Sequence, residues 1–320
     1  MAEPRLAAAS GAMGGRVDLT RTPSARSRFE GAIRAGLIGA ACISVLTTLA
    51  IVGSLIVETV QFFGEVPIAD FLFGTRWAPT FAESQQSFGV LPLVWGTVFV
   101  SLIALAVAVP LGLLSAIYLS EYAPPRVRKV VKPVLEVLAG VPTIVFGYFA
   151  LTYFTPEVLR GVLGIEVGIF NALSAGLIMG LLVLPTIASV AEDAMSAVPA
   201  SLREGAFGLG ASKLQVSLRI VFPAALSGIV AALILGASRA VGETVLVLVA
   251  GGQIPSLSID PTESHQTMAA FVAAISRGDI STGSIEYLTI FAVGFTLLVI
   301  TLVLNIASIR LVRKYRQVYE

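Results

Sequence analysis

Ile220-Val-Phe-Pro223-Ala-Ala-Leu-Ser-Gly228-Ile-Val-Ala-Ala-Leu-Ile-Leu-Gly236-Ala-Ser-Arg239-Ala-Val-Gly242-Glu243 is an apolar stretch interrupted by one arginine, with a glutamate four residues later. Apolar residues resume from Val245 to Val249. Read as a helix starting near Pro223, the stretch puts Arg239 roughly 24 Å along its axis, deep in a hydrocarbon layer about 30 Å thick. Placing an arginine there costs about 2.5–3.5 kcal/mol, and an ionised glutamate adds a comparable amount. Packing alone is a weak reason to bear that cost, so the pair reads first as a site for an anion crossing a membrane. The alternative is a buried ion pair that fixes helix packing. On a continuous helix Glu243 lies one turn beyond Arg239 on the same face. There it would neutralise the arginine when no anion is bound and yield as one arrives.

The whole chain supports a membrane setting. Of its 320 residues 56% are hydrophobic and 13% charged, with mean hydropathy +0.89, against about 25% charged in an average soluble domain. The single cysteine, Cys42, lies in an apolar run and has no partner for a disulfide, zinc or redox site, so it reads as an inert helix residue. The single histidine, His265, lies in a polar stretch and reads as loop decoration.

Charge-free runs long enough to cross a bilayer recur at Ala35–Val57, Pro92–Leu119, Val137–Thr155, Val167–Ala191, Ala224–Gly251 (interrupted only by Arg239 and Glu243) and Tyr287–Ile309. The third is the shortest at 19 residues, with Pro142 and glycines close by. The first is too long for a cleavable signal segment. Lysine and arginine crowd one side. If the N-terminus is cytoplasmic, 17 of the 21 fall in inner segments, only Arg76, Arg160 and Arg277 lie outside, and Arg239 is intramembrane. The expectation is an all-α polytopic membrane protein with six transmembrane helices and both termini cytoplasmic. It has a disordered basic tail over 1–34, a first helix over 35–57, an extracytoplasmic segment over 58–91, a five-helix core over 92–309 and a basic tail over 310–320. The outer segments Phe62–Leu91 and Gly252–Glu286 are expected to hold short surface helices, with Thr267–Ser276 at the outer surface or dipping back as a lid. Gly228, Ala232 and Gly236 recur at four-residue spacing, a seam where another helix can approach closely. Asn171, Glu192 and Asp193 read as helix ends and are given no role.

Between the fourth and fifth spans, residues 198–223 form an inner loop. Pro199 and Ser201 can start a short helix, with Glu204 in its first turns. Gly205, Ala206, Gly208 and Gly210 add little bulk, so another protein can approach closely. A second helical stretch, Ser212–Val221, is expected to stop against Pro223. Glu204-Gly205-Ala206, three residues, Gly210, nine residues and Ile220-Val-Phe-Pro223 resemble the Glu-Ala-Ala loop of ABC importer permeases, with Gly205 and Phe222 as mild departures. The resemblance implies a coupling loop, with Glu204, Gly205, Ala206 and Gly210 at its centre, that docks on a separate ATP-hydrolysing subunit. This chain has no Gly-Lys dipeptide and therefore no phosphate-cradling loop of its own. ATP and Mg are accordingly expected on the partner, with no cofactor, metal site or catalytic residue in this chain.

Ser238-Arg239-Ala-Val-Gly242-Glu243-Thr244 resembles the Arg-Ala-x-Gly-Glu-Thr signature of phosphate importer permeases, and Gly140-Val-Pro142-Thr-Ile-Val-Phe-Gly147 is similar to another segment of that family. Phe88-Gly-Val-Leu-Pro92 and Tyr118-Leu-Ser-Glu121 bracket the second span as in PstC-type subunits. The resemblance covers roughly residues 33–312 and implies a MetI-like fold in the plasma membrane. Its implied partners are a homologous PstA-type permease, a PstB-type ATPase dimer and a PstS-type extracytoplasmic phosphate-binding protein. The lipid bilayer surrounds the assembly, and no nucleic acid is involved. An arginine fork suits phosphate, and Arg239 with Glu243 is the expected translocation site. Sulfate or molybdate transport, and a non-transporting phosphate-signalling subunit, are the alternative functions.

Overall fold

The structure is a computed structural model describing residues 25–278 and 280–315, with side chains described over 29–310 apart from Glu83 and Asp279. The described residues up to Ser54 and those from Leu55 onward form two compact units. In the first unit the chain enters helix α1 (Ala25–Glu65). Residues 25–34, expected in a disordered tail, are thus helical, and residues 1–24 of that tail lie outside the described part. Cys42 is an exposed free cysteine on this helix.

The second unit is almost wholly helical. After α1 come α2 (Ile68–Phe73), a two-residue antiparallel ladder of β1 (Trp77–Ala78) with β2 (Ser87–Phe88), and α3 (Leu91–Ile117). α3 widens into a π-helical turn through Tyr122 and is followed by α4 (Pro125–Ala139). α5 (Thr143–Phe149) runs on as π-helix through Val162. Next are α6 (Ala172–Ser196), α7 (Ala200–Gly208) and α8 (Lys213–Val216), which continues through a π-turn into α9 (Phe222–Ala224). α10 (Leu226–Gly242), α11 (Val245–Ala250), α12 (Met268–Ile275) and α13 (Ile285–Tyr315) complete the chain. The basic end expected as a tail is helical to Tyr315, and residues 316–320 lie outside the described part.

Among the described residues four helices are long and apolar enough to cross a membrane, and two bent pairs bring the number to six if each is one span. The bends correct two expectations. The third span does not run over Val137–Thr155. Gly140, which weakens a helix, and Pro142, which disfavours helical backbone at Val141, break it, so α4 and the Thr143–Val162 helix meet at 85°. Pro223 does not stop the stretch before the fifth span. The helix runs on from Lys213 through Pro223 to Ala224, and the chain bends by 73° at Ala225 instead. The fourth span also starts later than expected. The Asn171 side chain accepts a hydrogen bond from the Ser174 amide (2.7 Å) and sets the first turn of α6.

α6 is the hub. Gly176 and Gly180 let α3 approach so closely that an added Cβ would lie 2.6 Å from Ile103 and 2.8 Å from the Ala104 carbonyl. Gly228 and Gly236 of α10 do the same against Ala194 and Ile187, so the small-residue seam is a helix–helix contact with α6. A core of Val100, Ala104, Ile178, Leu182, Val183, Ile187 and Leu246 fills the space between.

The outer segment after α11 is held by backbone hydrogen bonds rather than helices. The Gly168, Ala172 and Leu173 amides donate to Thr262, Glu263 and Pro261 carbonyls, and the His265 amide to Gly251. His265 is not loop decoration. Its ring is buried beside Phe99, with Nε2 2.9 Å from the Ser258 carbonyl and Nδ1 3.3 Å from that of Glu263. In the same segment, the Thr262 amide and hydroxyl hold the Asp260 carboxyl below its usual range. α12 is capped by Thr267, and its Met268, Ala269, Ala270 and Phe271 are buried. Met268 and Phe271 share a cluster with Phe62, Phe71, Trp77 and Leu93, so α12 is packed into a core.

Candidate functional site

Arg239 lies in the last turn of α10, half-buried, where that helix passes α6 and the broken end of α4. Its Nη1 donates to Thr186 Oγ1 of α6 (2.7 Å) and its Nη2 to the Ala139 carbonyl (3.1 Å). Ala139 is the last residue of α4, and its carbonyl is one of the helix-end acceptors that lack an intrahelical donor. The negative end of the α4 dipole adds to the attraction. The Gly140–Pro142 break thus delivers a carbonyl to the arginine fork. Further along, α5 packs on α11, and a Cβ at Gly147 would lie 3.1 Å from Leu246 Cα.

Glu243 is not one turn further along the same helix. α10 ends at Gly242, and Glu243 has extended backbone (φ −67°, ψ 127°). Its Oε1 accepts from the Leu246 amide (3.2 Å), so the carboxylate faces the start of α11. The same-face pair read from the sequence needs helix through residue 243, and the helix stops one residue too soon. Among the described ion pairs none joins Arg239 to Glu243. Arg239 is instead held by neutral groups. A guanidinium carries five N–H donors, so its charge and part of its fork remain for an anion.

Residues 198–223, expected as an inner loop, form short helices. α7 follows Pro199 and carries Glu204, exposed, with Gly205 and Gly208 facing open space. Gly210 has φ +82°, which a residue with a Cβ adopts only at a cost. Ser212 and Gln215 form a reciprocal capping box that starts α8. Phe207 and Leu209 are exposed at the tip, Leu209 by 90%. Ala206 is half-buried. Arg203 anchors the loop, donating to the Val198 (2.6 Å) and Met195 (2.8 Å) carbonyls and pairing with Glu121 (3.0 Å) at the end of α3.

A polar cluster that sequence reading passed over lies between α4 and α6. The Glu192 side chain is 0% exposed. It pairs with Arg128 and with Lys132 Nζ (2.8 Å), and accepts from Ser196 Oγ (2.8 Å). Arg128 also donates to Ser196 Oγ (2.8 Å), and Lys132 pairs with Asp193. Glu192 and Asp193 are therefore not idle helix-end residues. The available signal was four basic residues, Arg126 to Lys132, on one amphipathic segment whose only acidic residue is Glu136.

The family described as binding-protein-dependent transport system inner membrane component matches residues 108–317. The probable ABC transporter permease protein YqgH of Bacillus subtilis is 34% identical, with 92% of this chain and 95% of that protein covered. The phosphate transport system permease protein PstC 1 of Mycobacterium tuberculosis is 33% identical over 85% of this chain and 90% of that one. PstC of Haemophilus influenzae is 31% identical over 81% and 84%. Among solved structures, a bacterial alginate ABC transporter in complex with an alginate pentasaccharide-bound periplasmic protein aligns with TM-score 0.63 and 15% identity, covering 89% of this chain and 97% of that one. The inward-facing MetNI methionine transporter aligns with TM-score 0.55 and 19% identity, covering 71% and 96%. These two bear on the fold alone.

Proposed function

The chain belongs to the binding-protein-dependent transport system inner membrane components, and from that premise we propose that this ABC importer permease subunit carries inorganic phosphate inward by alternating access. The observation that carries the reading is Arg239, a cation in an apolar helix whose partners among the described residues are the neutral Thr186 Oγ1 and Ala139 carbonyl. A planar fork suits an oxyanion. Neutral, exchangeable partners keep binding from becoming a trap, because passage demands a site that also releases. The relatives named as phosphate permeases support the choice of solute. Glu243 stands four residues away and would complete the site when the α10–α11 joint rearranges.

The partners follow the same reading: a homologous permease, an ATPase dimer that holds ATP and Mg, and an extracytoplasmic phosphate-binding protein. The exposed tip of α7, with Glu204, Gly205, Ala206 and Gly210 as its frame, would meet the ATPase. The six-span topology with both termini cytoplasmic rests on the bias of lysine and arginine to one side. The test is ATP-dependent uptake of labelled phosphate by vesicles holding the assembled complex, with sulfate and molybdate as competitors. Uptake that unlabelled phosphate alone suppresses supports the reading. Equal suppression by sulfate or molybdate moves the solute to another oxyanion, and ATP hydrolysis without uptake points to a signalling subunit.

A further inference from the structure

The buried Glu192 cluster has no part in the site as described, yet it joins the site's two ends. A carboxylate with no exposed surface is held out of water only by its partners, here Arg128, Lys132 and Ser196. A buried ion pair is a poor means of stabilisation, since apolar residues of similar volume often serve as well or better. α4 runs unbroken through Pro133 from Lys132 to Ala139, two turns or about 10 Å. One end of that rod is held by Arg239 through the Ala139 carbonyl, the other by Glu192 and Asp193. Glu192 stands in the last turn of α6, beside Met195, whose carbonyl accepts from Arg203 of α7. Arg203 then reaches Glu121 at the end of α3. Two stretches of helix, Lys132–Ala139 in α4 and Glu192–Met195 in α6, thus join three sets of polar contacts between the arginine fork and residues 198–223.

We propose that Glu192 is a positioning residue that links the Arg239 end of α4 to the movement of α7, so that an anion taking the arginine fork and ATP acting on the loop bias one and the same element. The link rests on the transport reading above. When an anion replaces the Ala139 carbonyl on Arg239, the α4 end is freed and the rod re-seats on Glu192. When the loop is pulled, the α6 end carrying Glu192 moves the rod from the other side.

The test uses the assembled importer in vesicles with Cys42→Ser and Val137→Cys, a reporter on α4 that is 72% exposed. Maleimide labelling rates are compared without nucleotide and with a non-hydrolysable ATP analogue, then with inorganic phosphate loaded on the binding protein. With Glu192 intact the analogue changes the rate at least about fivefold, and Glu192→Gln reduces that change to less than about 1.5-fold per assembled complex. A full nucleotide response in Glu192→Gln overturns the proposal, as does a chain with Glu192 intact that does not respond. If Glu192→Gln only lowers the yield of complex, with the response per complex unchanged, the cluster is structural and the proposal falls. Should Glu192→Gln not assemble at all, Lys132→Met, which leaves Arg128 on Glu192, takes its place with the same expected loss. A nucleotide response that depends on Glu192, with no response to phosphate, supports the link and overturns phosphate as the solute.

Discussion

Arg239 separates charge from shape. Lysine keeps the charge but not the planar fork that reaches Thr186 and the Ala139 carbonyl together. Arg239→Lys should retain a few per cent of phosphate uptake and Arg239→Gln less than about one per cent, a loss of roughly 3 kcal/mol in transition-state stabilisation. Uptake by Arg239→Gln within a few-fold of the unsubstituted chain would remove the residue from the path. The exchange Arg239→Glu with Glu243→Arg asks a different question. An ion pair that served packing alone would be rebuilt by the exchange and uptake would return. Because Glu243 caps the start of α11, the exchanged chain should stay inactive and lose the Leu246 contact as well. Gly210 isolates backbone from contact, since a Cβ there meets nothing within 4 Å while φ is +82°. Gly210→Ala should cost about 1–2 kcal/mol of local stability from backbone alone. The cost would appear as faster proteolysis of the inner loop with the remaining helices unchanged.

At the scale of elements, glycine spacing decides what touches α6 and what touches α3. A Cβ on Gly96 would lie 2.2 Å from the Gln266 carbonyl oxygen, a backbone atom of the stitched outer segment that cannot yield cheaply. Gly96→Ala should cost about 1–3 kcal/mol and lower the thermal midpoint in detergent. Gly205→Ala, on an exposed face with nothing of this chain within 4 Å, should raise stability slightly, by less than about 1 kcal/mol. Equal shifts for the two would show that helix propensity rather than close approach governs both. The same elements mark what the sequence made legible. Uncharged runs located the cores of all the long helices because burial in lipid depends on composition. Direction is another matter: residues 137–155 stay apolar across an 85° bend, and hydropathy has no term for the turn at Gly140 and Pro142. Helix continuity through Glu243 was assumed from apolar residues on either side, yet the joint at Gly242 sends the carboxylate elsewhere. Glu192 was invisible for a third reason, since its cationic partners lie about sixty residues away in sequence and periodicity reads only one element at a time.

Across the whole molecule, the end that carries α7 combines buried polar contacts with exposed apolar ones. Glu121, Arg203, Glu192 and Arg128 hold the bases of α3, α4, α6 and α7 together, while Phe207 and Leu209 are exposed among the described residues. A leucine 90% exposed contributes little to the fold, so Leu209→Glu should change the stability of the chain by no more than about 0.5 kcal/mol. Its effect should appear only on assembly. If the α7 tip seats in an apolar groove of the ATPase subunit, a carboxylate there must be desolvated without a partner, and affinity should fall at least about tenfold. Co-purification of the ATPase with the permease, compared for Leu209→Glu and Leu209→Met, measures this. Retention with methionine and loss with glutamate place the tip in a dry contact. Equal retention of both means that the ATPase grips the permease elsewhere, and Arg203 and Glu121 would then have no moving partner to follow.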